Sequence, residues 1–337
     1  MGLTKGVENP VMLCFPLQNS SCIKGLRSDV EYILLYAILL VVSSLTVFLN
    51  LLVIISVLHF KQLHTPTNLL ILSLAVADFL MGLVVIPVDG RTFIETCWYF
   101  GDFLCTVFPV VMYTIFSGSL TNIFLISLDR YIAVMDPLQY KVRVTNKKVV
   151  LSVLLGWLYA FIYALVILNK HLQHPKPRSQ CRGKCPIIIP YNYIVIDFIF
   201  AVAGPICIIS GVYMRICCVA RRQAKAMNTV TVRLRSVSKA IVPQKSETKA
   251  AKTLGGLIAI YFLCWTPYFV VSLTAETLPY NPAVLHVIYW LLYINSCINP
   301  LMYALFYPWF RISVKHILTL SILHSSSSYL NVVPHRQ

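Results

Sequence analysis

Charged residues are scarce in this chain. Asp, Glu, Lys and Arg together make up 12% of its 337 residues, and the acidic ones number only 12. A soluble domain is about 25% charged, so soluble enzymes are excluded. Charge-rich disordered regulators and small disulfide scaffolds are excluded as well. Apolar residues make up 58% of the chain and its mean hydropathy is +0.75, which indicates a protein of the lipid bilayer.

Seven long stretches of the chain are almost without charged residues. Five of them contain no charged residue, and two are interrupted only by Asp78 and Asp197. Each is long enough to cross a hydrocarbon core, which takes about 20 helical residues. The stretches are 32–60, 69–88, 103–128, 149–169, 186–214, 253–275 and 277–310. We therefore predict an all-α membrane protein, built as a bundle of seven transmembrane helices.

Positive charge is distributed unevenly between the two sides of this bundle. Most of the 28 Lys and Arg residues fall on one side, notably within 215–252. Such a bias marks the cytoplasmic side, so the N-terminus is expected outside. The net charge of +16 then reflects topology and attraction to membrane lipid, and we expect no nucleic-acid binding. The predicted parts are an extracellular N-terminus (1–30), the seven-helix domain (31–307), an amphipathic membrane-surface helix (308–320) and a cytoplasmic tail (321–337), disordered from 325 onward.

Polar residues and prolines inside the spans carry the functional signal. The run Asp129-Arg130-Tyr131 closes the third span, and Asn299-Pro300 lies in the seventh. Each motif alone is weak, since a charge at a helix end can be an interfacial anchor and a proline usually only kinks a helix. The set is completed by Asn50, Asp78, Trp157, Pro205 and the run Cys264-Trp265-Thr266-Pro267. In this order the motifs resemble the rhodopsin-like G-protein-coupled receptors over essentially the whole chain.

The sequence at the end of the seventh span resembles one particular family among these receptors. Residues 295–310 read Asn-Ser-Cys-Ile-Asn-Pro-Leu-Met-Tyr-Ala-Leu-Phe-Tyr-Pro-Trp-Phe, which resembles the fingerprint of the trace amine-associated receptors. The run 59–68 is similar to that family's first inside loop. Serotonin and adrenergic receptors share the general motifs but lack the ending Trp309-Phe310. The resemblance implies a plasma-membrane receptor, not an enzyme, that senses a small amine in olfaction and raises cAMP through a stimulatory or olfactory heterotrimeric G protein.

The resemblance also implies a ligand site, where this chain departs from the family. The family's amine anchor is an Asp on the third span, but Met112 stands there, and a thioether cannot pair with an ammonium ion. A subset of the family from fishes carries its counter-ion on the fifth span, where this chain has Asp197. The aromatic residues that the family mapping places around it, suited to a cation by cation-π attraction, are Tyr113, Phe116, Trp265, Tyr268, Phe269, Tyr289 and Tyr293.

Several alternatives stay open at this point. Asp197 could be structural, with a hydrogen bond to a neighbouring Tyr or Ser, and the receptor could then take a ligand that is not an amine. Asp89 and Glu95 could hold a second amine, although Arg91 could neutralise one of them. A membrane channel or transporter is the alternative of another class. It should show internal repeats and a continuous polar path, and neither is visible in the sequence.

The signalling parts are likewise placed by the resemblance. Met112 and Arg130 are 18 residues apart, so they share one helix face at a separation of about 27 Å. In the family, activation releases Arg130 from Asp129 so that Arg130 can contact the G protein. Trp265 and Pro267 would form the hinge of the sixth span. Tyr131, Tyr213, Pro300 and Tyr303 are the accompanying switch residues. A sodium ion, with no other metal or cofactor, is expected at Asp78, Ser119, Asn295 and Asn299.

The cysteines fall into three groups under the same resemblance. The implied disulfides are Cys105–Cys185, which is common to these receptors, and Cys22–Cys181, which is particular to the family. Cys14 and Cys97 are left unassigned. Free thiols are expected at Cys207, Cys217, Cys218, Cys264 and Cys297, and Asn19 begins a glycosylation sequon.

Overall fold

The molecule is a bundle of long helices, as predicted. The computed structural model describes residues 12–18, 20–136, 138–173, 181–187, 189–215, 218–219, 245–274, 282–324 and 326–332. Five of its helices are long and apolar enough to cross a membrane, and a sixth has the apolar stretch Ala259–Thr274. The helices are α1 (Asp29–His59), α2 (Pro66–Glu95), α3 (Gly101–Met135), α4 (Asn146–Ile167), α5 (Tyr191–Arg215), α6 (Lys245–Thr274), α7 (Pro282–Phe306) and α8 (Pro308–Leu318).

Local sequence signals mark where three of these helices begin. Ser28 and Glu31 form a reciprocal capping box at the start of α1, so two backbone N–H groups that the helix leaves unpaired gain partners. Thr65 caps α2 just before Pro66, whose missing N–H costs nothing at the first helical position. Thr145 caps α4 by accepting from the backbone of Lys148. Each start therefore has a chemical cause in the sequence.

Most of the apolar surface of the bundle faces outward. Along α4, Leu151, Leu154, Leu155 and Leu158 are all exposed. In water this would be a large unfavourable apolar patch, but a bilayer solvates it. Inside the bundle, α3 packs against α2, α4 and α6, while α7 packs against α1, α2 and α6. The helix α3 is therefore placed to link one end of the bundle to the other.

Two helices contain a π turn that ends two residues before a proline. The turn Met81–Val85 precedes Pro87 in α2, and Ile199–Ala203 precedes Pro205 in α5. A proline lacks the N–H that would bond four residues back, and its ring clashes with that carbonyl. A locally wider turn relieves both problems. These turns change the rotation of Asp89 and Asp197 relative to a regular helix, which sequence spacing alone does not reveal.

The end of the bundle that carries the disulfides, hereafter the disulfide end, is covered by the N-terminal segment. Three disulfides are formed: Cys14–Cys97, Cys22–Cys181 and Cys105–Cys185. The last two are the pairs that the resemblance implied, and the first joins the two cysteines left unassigned. Backbone hydrogen bonds support this cover, with Cys22 N donating to Arg182 O at 2.8 Å and Trp98 N donating to Gly183 O at 2.8 Å. Asn19 and Cys217 lie outside the described residues, while Cys207, Cys218, Cys264 and Cys297 are free.

The expectation of a disordered tail is wrong for residues 326–332. This segment folds back on the end of α1, where Ser327 Oγ lies 2.9 Å from His59 Nε2 and Lys61 Nζ lies 4.0 Å from the centre of the Tyr329 ring. Val332 is fully buried in the same core cluster as Phe60. The Ser-rich composition of the tail did not indicate these contacts, because one valine and one tyrosine barely change its mean hydropathy. The rest of 325–337 lies outside the described residues.

Candidate ligand-binding site

A cavity of about 450 Å³ opens between the helices toward the disulfide end. Cys185, which a disulfide ties to α3, and the nearby Ile187 and Ile189 line it. A volume of this size matches the range of small-molecule sites, about 300–1,000 Å³. The sequence-predicted residues that the structure brings together on its wall are Met112, Tyr113, Phe116, Asp197, Trp265, Tyr268, Phe269, Tyr289 and Tyr293.

Asp197 is the carboxylate on the α5 side of this cavity. Asp197 is 8% exposed, and the Tyr163 hydroxyl donates a hydrogen bond to its Oδ1 at 2.7 Å. No described Lys, Arg or His forms an ion pair with it. One hydrogen bond positions the carboxylate but leaves its charge uncompensated, and a buried charge is normally paired. The site is therefore chemically suited to a cation.

The position that the family uses for its acid is apolar here. Met112 is buried and lines the cavity, so its thioether offers packing and no charge. Asp89, on α2, also lines the cavity and accepts a hydrogen bond from the Tyr293 hydroxyl at 2.5 Å. The cavity wall thus carries two carboxylates, both away from the usual place.

Glu95 and Arg91, which the sequence left as open candidates, are engaged outside the cavity. Glu95 pairs with Lys24 and accepts from the Tyr36 hydroxyl at 2.5 Å. The hydrogen bond to Glu95 raises the pKa of Lys24 above its ordinary value. The Arg91 guanidinium lies over the Tyr99 ring, 5.4 Å from its centre. The suggestion that Glu95 holds a second amine in this cavity therefore finds no support in the geometry, while neutralisation of Asp89 or Glu95 by Arg91 stays a prediction.

Aromatic side chains form a continuous wall of the same cavity. Phe116 meets Trp265 edge-on at 4.8 Å between ring centres, and Trp265 meets Tyr268 at 6.3 Å. Tyr268 in turn meets Tyr289 at 6.2 Å. These are the spacings of edge-to-face aromatic pairs, which hold one another's orientation. The ring faces and hydroxyls on this wall can contact both an ammonium group and an apolar chain.

Below the cavity, Asp78 lies in a buried polar cluster. It is 1% exposed, and its Oδ2 accepts from Asn299 Nδ2 at 2.7 Å. Among the described residues its Oδ1 has no hydrogen-bond partner, and neither has the buried Ser119 Oγ. Asn295 is buried on the α7 side, next to Ser296, whose carbonyl accepts from Asn50. A carboxylate oxygen and a hydroxyl oxygen that are buried without hydrogen-bond partners are ligands that suit a hard cation, so these residues fit a sodium ion.

At the opposite end of the bundle, hereafter the Arg130 end, a network closes around an ion pair. Arg130 Nη2 lies 2.5 Å from Asp129 Oδ2, and Thr67 donates to the same oxygen at 2.8 Å. Tyr140 donates to Asp129 Oδ1 at 2.6 Å. Burial and this hydrogen bond raise the pKa of Tyr140. With both carboxylate oxygens occupied, Arg130 is held against its own helix.

The remaining switch residues lie on α3, α5, α6 and α7. Tyr213 packs against Gly255 of α6, closely enough that a Cβ on this glycine would lie 2.8 Å from the ring. Tyr303 is buried, and its hydroxyl has no partner among the described residues. Tyr131 is half-buried, and Pro300 and Pro267 lie inside α7 and α6. Their roles in activation stay predictions.

Sequence reasoning missed several residues of these sites. Tyr163 holds Asp197, and Thr67 and Tyr140 hold Asp129. None stands in a recognisable motif, because each acts by approaching an acid from another helix or connection. Thr67 does lie in the run 59–68 that carried the family resemblance. Further lining residues that were not predicted are Ser117, Thr121, Tyr159, Tyr261 and Ser272.

Comparison with known proteins defines the class of this molecule. The family model described as 7 transmembrane receptor (rhodopsin family) matches residues 49–303. The chain is therefore a rhodopsin-like G-protein-coupled receptor, which sets aside the channel and transporter alternative, and it is not an enzyme.

The relatives narrow the family further. The chain is 38% identical over 332 residues to trace amine-associated receptor 6 of Pan troglodytes, covering 96% of each chain. It is 36% identical over 341 residues to trace amine-associated receptor 13c of Danio rerio, covering 98% of this chain and 99% of the relative. Trace amine-associated receptor 1 of Mus musculus is 37% identical over 302 residues, 87% of this chain and 91% of the relative. The chain belongs to the trace amine-associated receptor family.

Proposed function

We propose that this receptor binds a small amine in the cavity at the disulfide end and activates a stimulatory or olfactory G protein, which raises cAMP. Asp197 is the observation that carries the proposal. It is buried and lacks an ion-pair partner among the described residues. An ammonium group that enters such a site loses its hydration, and an opposite charge compensates for the loss. The named relatives are trace amine-associated receptors, which supports an amine as the ligand.

The proposal places the protein in the plasma membrane with its N-terminus outside. The three disulfides support this orientation, because they lie at the end that the N-terminal segment covers and disulfides persist on the oxidising side of a membrane. The Arg130 end then faces the cytoplasm, where an anionic partner such as a G protein would meet Arg130 once it leaves Asp129. The role in olfaction that the resemblance implies makes the olfactory type of G protein one candidate.

The direct test is a panel of amines applied to cells that carry this receptor and a cAMP reporter. We expect a dose-dependent rise of cAMP with at least one small amine, and no rise in cells without the receptor. A calcium reporter run in parallel detects coupling to another type of G protein. A response of the calcium reporter alone would refute the stimulatory coupling but would still support the amine site.

A non-amine ligand is the second candidate, and the hydrogen bond from Tyr163 to Asp197 favours it. In this case Asp197 fastens α4 to α5 and has no partner in the ligand. The charge of the carboxylate then has no effect on ligand response, and only its ability to accept a hydrogen bond matters. Comparison of Asp197→Asn with the wild type separates the two candidates, because asparagine keeps the acceptor and removes the charge.

We also propose that a sodium ion stabilises the resting state at Asp78, with Ser119, Asn295 and Asn299 as neighbours. We expect replacement of sodium by N-methylglucamine to raise agonist affinity of the wild type, because an ion bound only by the resting state shifts the population away from the active one. Asp78→Asn should abolish the difference between the two salts, measured by agonist competition in membranes. Equal agonist affinity in both salts for the wild type would refute this proposal.

The disulfide Cys22–Cys181 should contribute to ligand response. Cys22→Ser removes the covalent link between the N-terminal segment and the loop segment that continues toward Cys185 on the cavity wall. We expect about a tenfold loss of amine potency in the cAMP assay, which corresponds to about 1.4 kcal/mol. Cys218→Ser, which removes an exposed free thiol, is the matched control and should have no effect. Unchanged potency of Cys22→Ser at full surface expression would contradict the prediction.

A further inference from the structure

Asp89 is a second carboxylate in the ligand cavity, and the proposed function gives it no role. It belongs to α2, on a different wall from Asp197 of α5, and both line the same cavity. Tyr293 donates to Asp89 at 2.5 Å, as Tyr163 does to Asp197 at 2.7 Å. The two acids are therefore held in the same manner, each by one tyrosine from a neighbouring helix.

The charge of these two acids is not balanced by the cavity itself. Of the described residues that line it, none is Lys, Arg or His. The described ion pairs join Lys24 to Glu95, Arg130 to Asp129 and Arg143 to Asp136, and none includes Asp89 or Asp197. Arg91, two residues from Asp89, is engaged with the Tyr99 and Phe100 rings. The formal charge of the described lining is thus −2.

A ligand with one ammonium group balances only half of this charge. It would pair with one carboxylate and leave the other in a low-dielectric site, where an unpaired charge is unfavourable. The wall of the same cavity also has an apolar part, which includes Met112, Phe116 and Leu292. Such a stretch favours methylene groups over further polar groups. The cavity is therefore complementary to two cationic groups separated by an apolar chain.

We propose that Asp89 is a second cation-binding residue and that the preferred ligand is an elongated dication, with one protonated amino group at Asp197 and the other at Asp89. This inference rests on the proposed function, since it takes Asp197 as the first anchor. Met112 then has a positive role, because its flexible thioether packs against the chain that joins the two amino groups. Tyr293, which donates to Asp89, and Tyr289 line the same cavity and supply aromatic faces for cation-π contact with the second amino group.

A length series tests the proposal with the intact receptor. Straight-chain α,ω-diamines of increasing length are compared, each with the monoamine of the same chain length, in the cAMP assay. At the length that spans the two acids we expect the diamine to be about tenfold more potent than its monoamine. Asp89→Asn should remove this advantage, so that the diamine and its monoamine become about equally potent. Asp102→Asn, at an exposed acid near the start of α3, is the control and should retain the advantage.

A second variant keeps the test decisive if Asp89→Asn reaches the cell surface poorly. Asp89→Glu preserves the charge and extends further into the cavity, so the best diamine should become shorter while the advantage over the monoamine persists. The proposal is overturned if no length gives the diamine an advantage, or if Asp89→Asn weakens mono- and diamines equally. If Asp197→Asn instead leaves the potency of every amine unchanged, Asp197 is not the first anchor, and the proposed function is refuted.

Discussion

Asp197→Ala is expected to lower amine potency by about a hundredfold or more in the cAMP assay. Truncating one partner of a buried, hydrogen-bonded charge pair costs about 2–5 kcal/mol, and each 1.4 kcal/mol is a factor of ten. Asp197 meets these conditions, since it is buried, is positioned by Tyr163 and lies in the wall of the cavity. Alanine removes both the charge and the hydrogen-bond acceptor.

Three further variants separate charge from structure at this position. Asp197→Asn should lose nearly as much potency as Asp197→Ala, because the charge is gone although Tyr163 keeps an acceptor. Asp197→Glu should retain part of the response, because the charge survives at a different reach. Tyr163→Phe, which keeps the carboxylate and removes only its support, should have a smaller effect. Wild-type potency of Asp197→Asn would move the amine site elsewhere, with Asp89 as the next residue to test.

Asp129→Asn is expected to raise basal cAMP several-fold without agonist. The pair Arg130–Asp129 is buried, with the Asp129 side chain 3% exposed, and Thr67 and Tyr140 complete the network. Breaking such a pair costs about 3–5 kcal/mol in the conformation that contains it. A loss of only about 1.4 kcal/mol from the resting state raises the ratio of active to resting receptor tenfold.

The chain offers a matched control for this experiment. Asp136 pairs with Arg143 at 3.3 Å, but both side chains are substantially exposed. Exposed pairs contribute about 0–1 kcal/mol, so Asp136→Asn should leave basal cAMP unchanged. Basal activity that is equal in Asp129→Asn, Asp136→Asn and the wild type, at equal surface expression, would show that the ion pair does not restrain the resting state.

Much of the architecture could be predicted from composition and spacing. The absence of charge over stretches such as 32–60 sets the membrane spans, because a bilayer tolerates few charges in its core. The amphipathic pattern after Tyr307 predicted a helix at 308–320, and the structure has Pro308–Leu318. The nine residues expected around the ligand do line one cavity, because the family resemblance carried the three-dimensional arrangement that spacing alone lacks.

What could not be predicted depends on contacts between distant parts of the chain. The π turns in α2 and α5 alter the direction in which Asp89 and Asp197 face, and their prolines indicate only a kink. The tyrosines that hold these acids come from α7 and α4 and carry no local signal. The pair Cys14–Cys97 needed a folded N-terminal segment before its two sulfurs could be matched.

The folded-back segment 326–332 has a practical consequence for reporter fusions. Val332 belongs to the core cluster that contains Phe60 and Leu63, and Ser327 contacts His59. A fluorescent protein joined directly after α8 would delete this segment and uncover apolar side chains beside the first connection of the bundle. Any loss of stability from this exposure would then be confounded with an effect of the fluorophore. A fusion point after Val332 keeps the cover in place and separates the two causes.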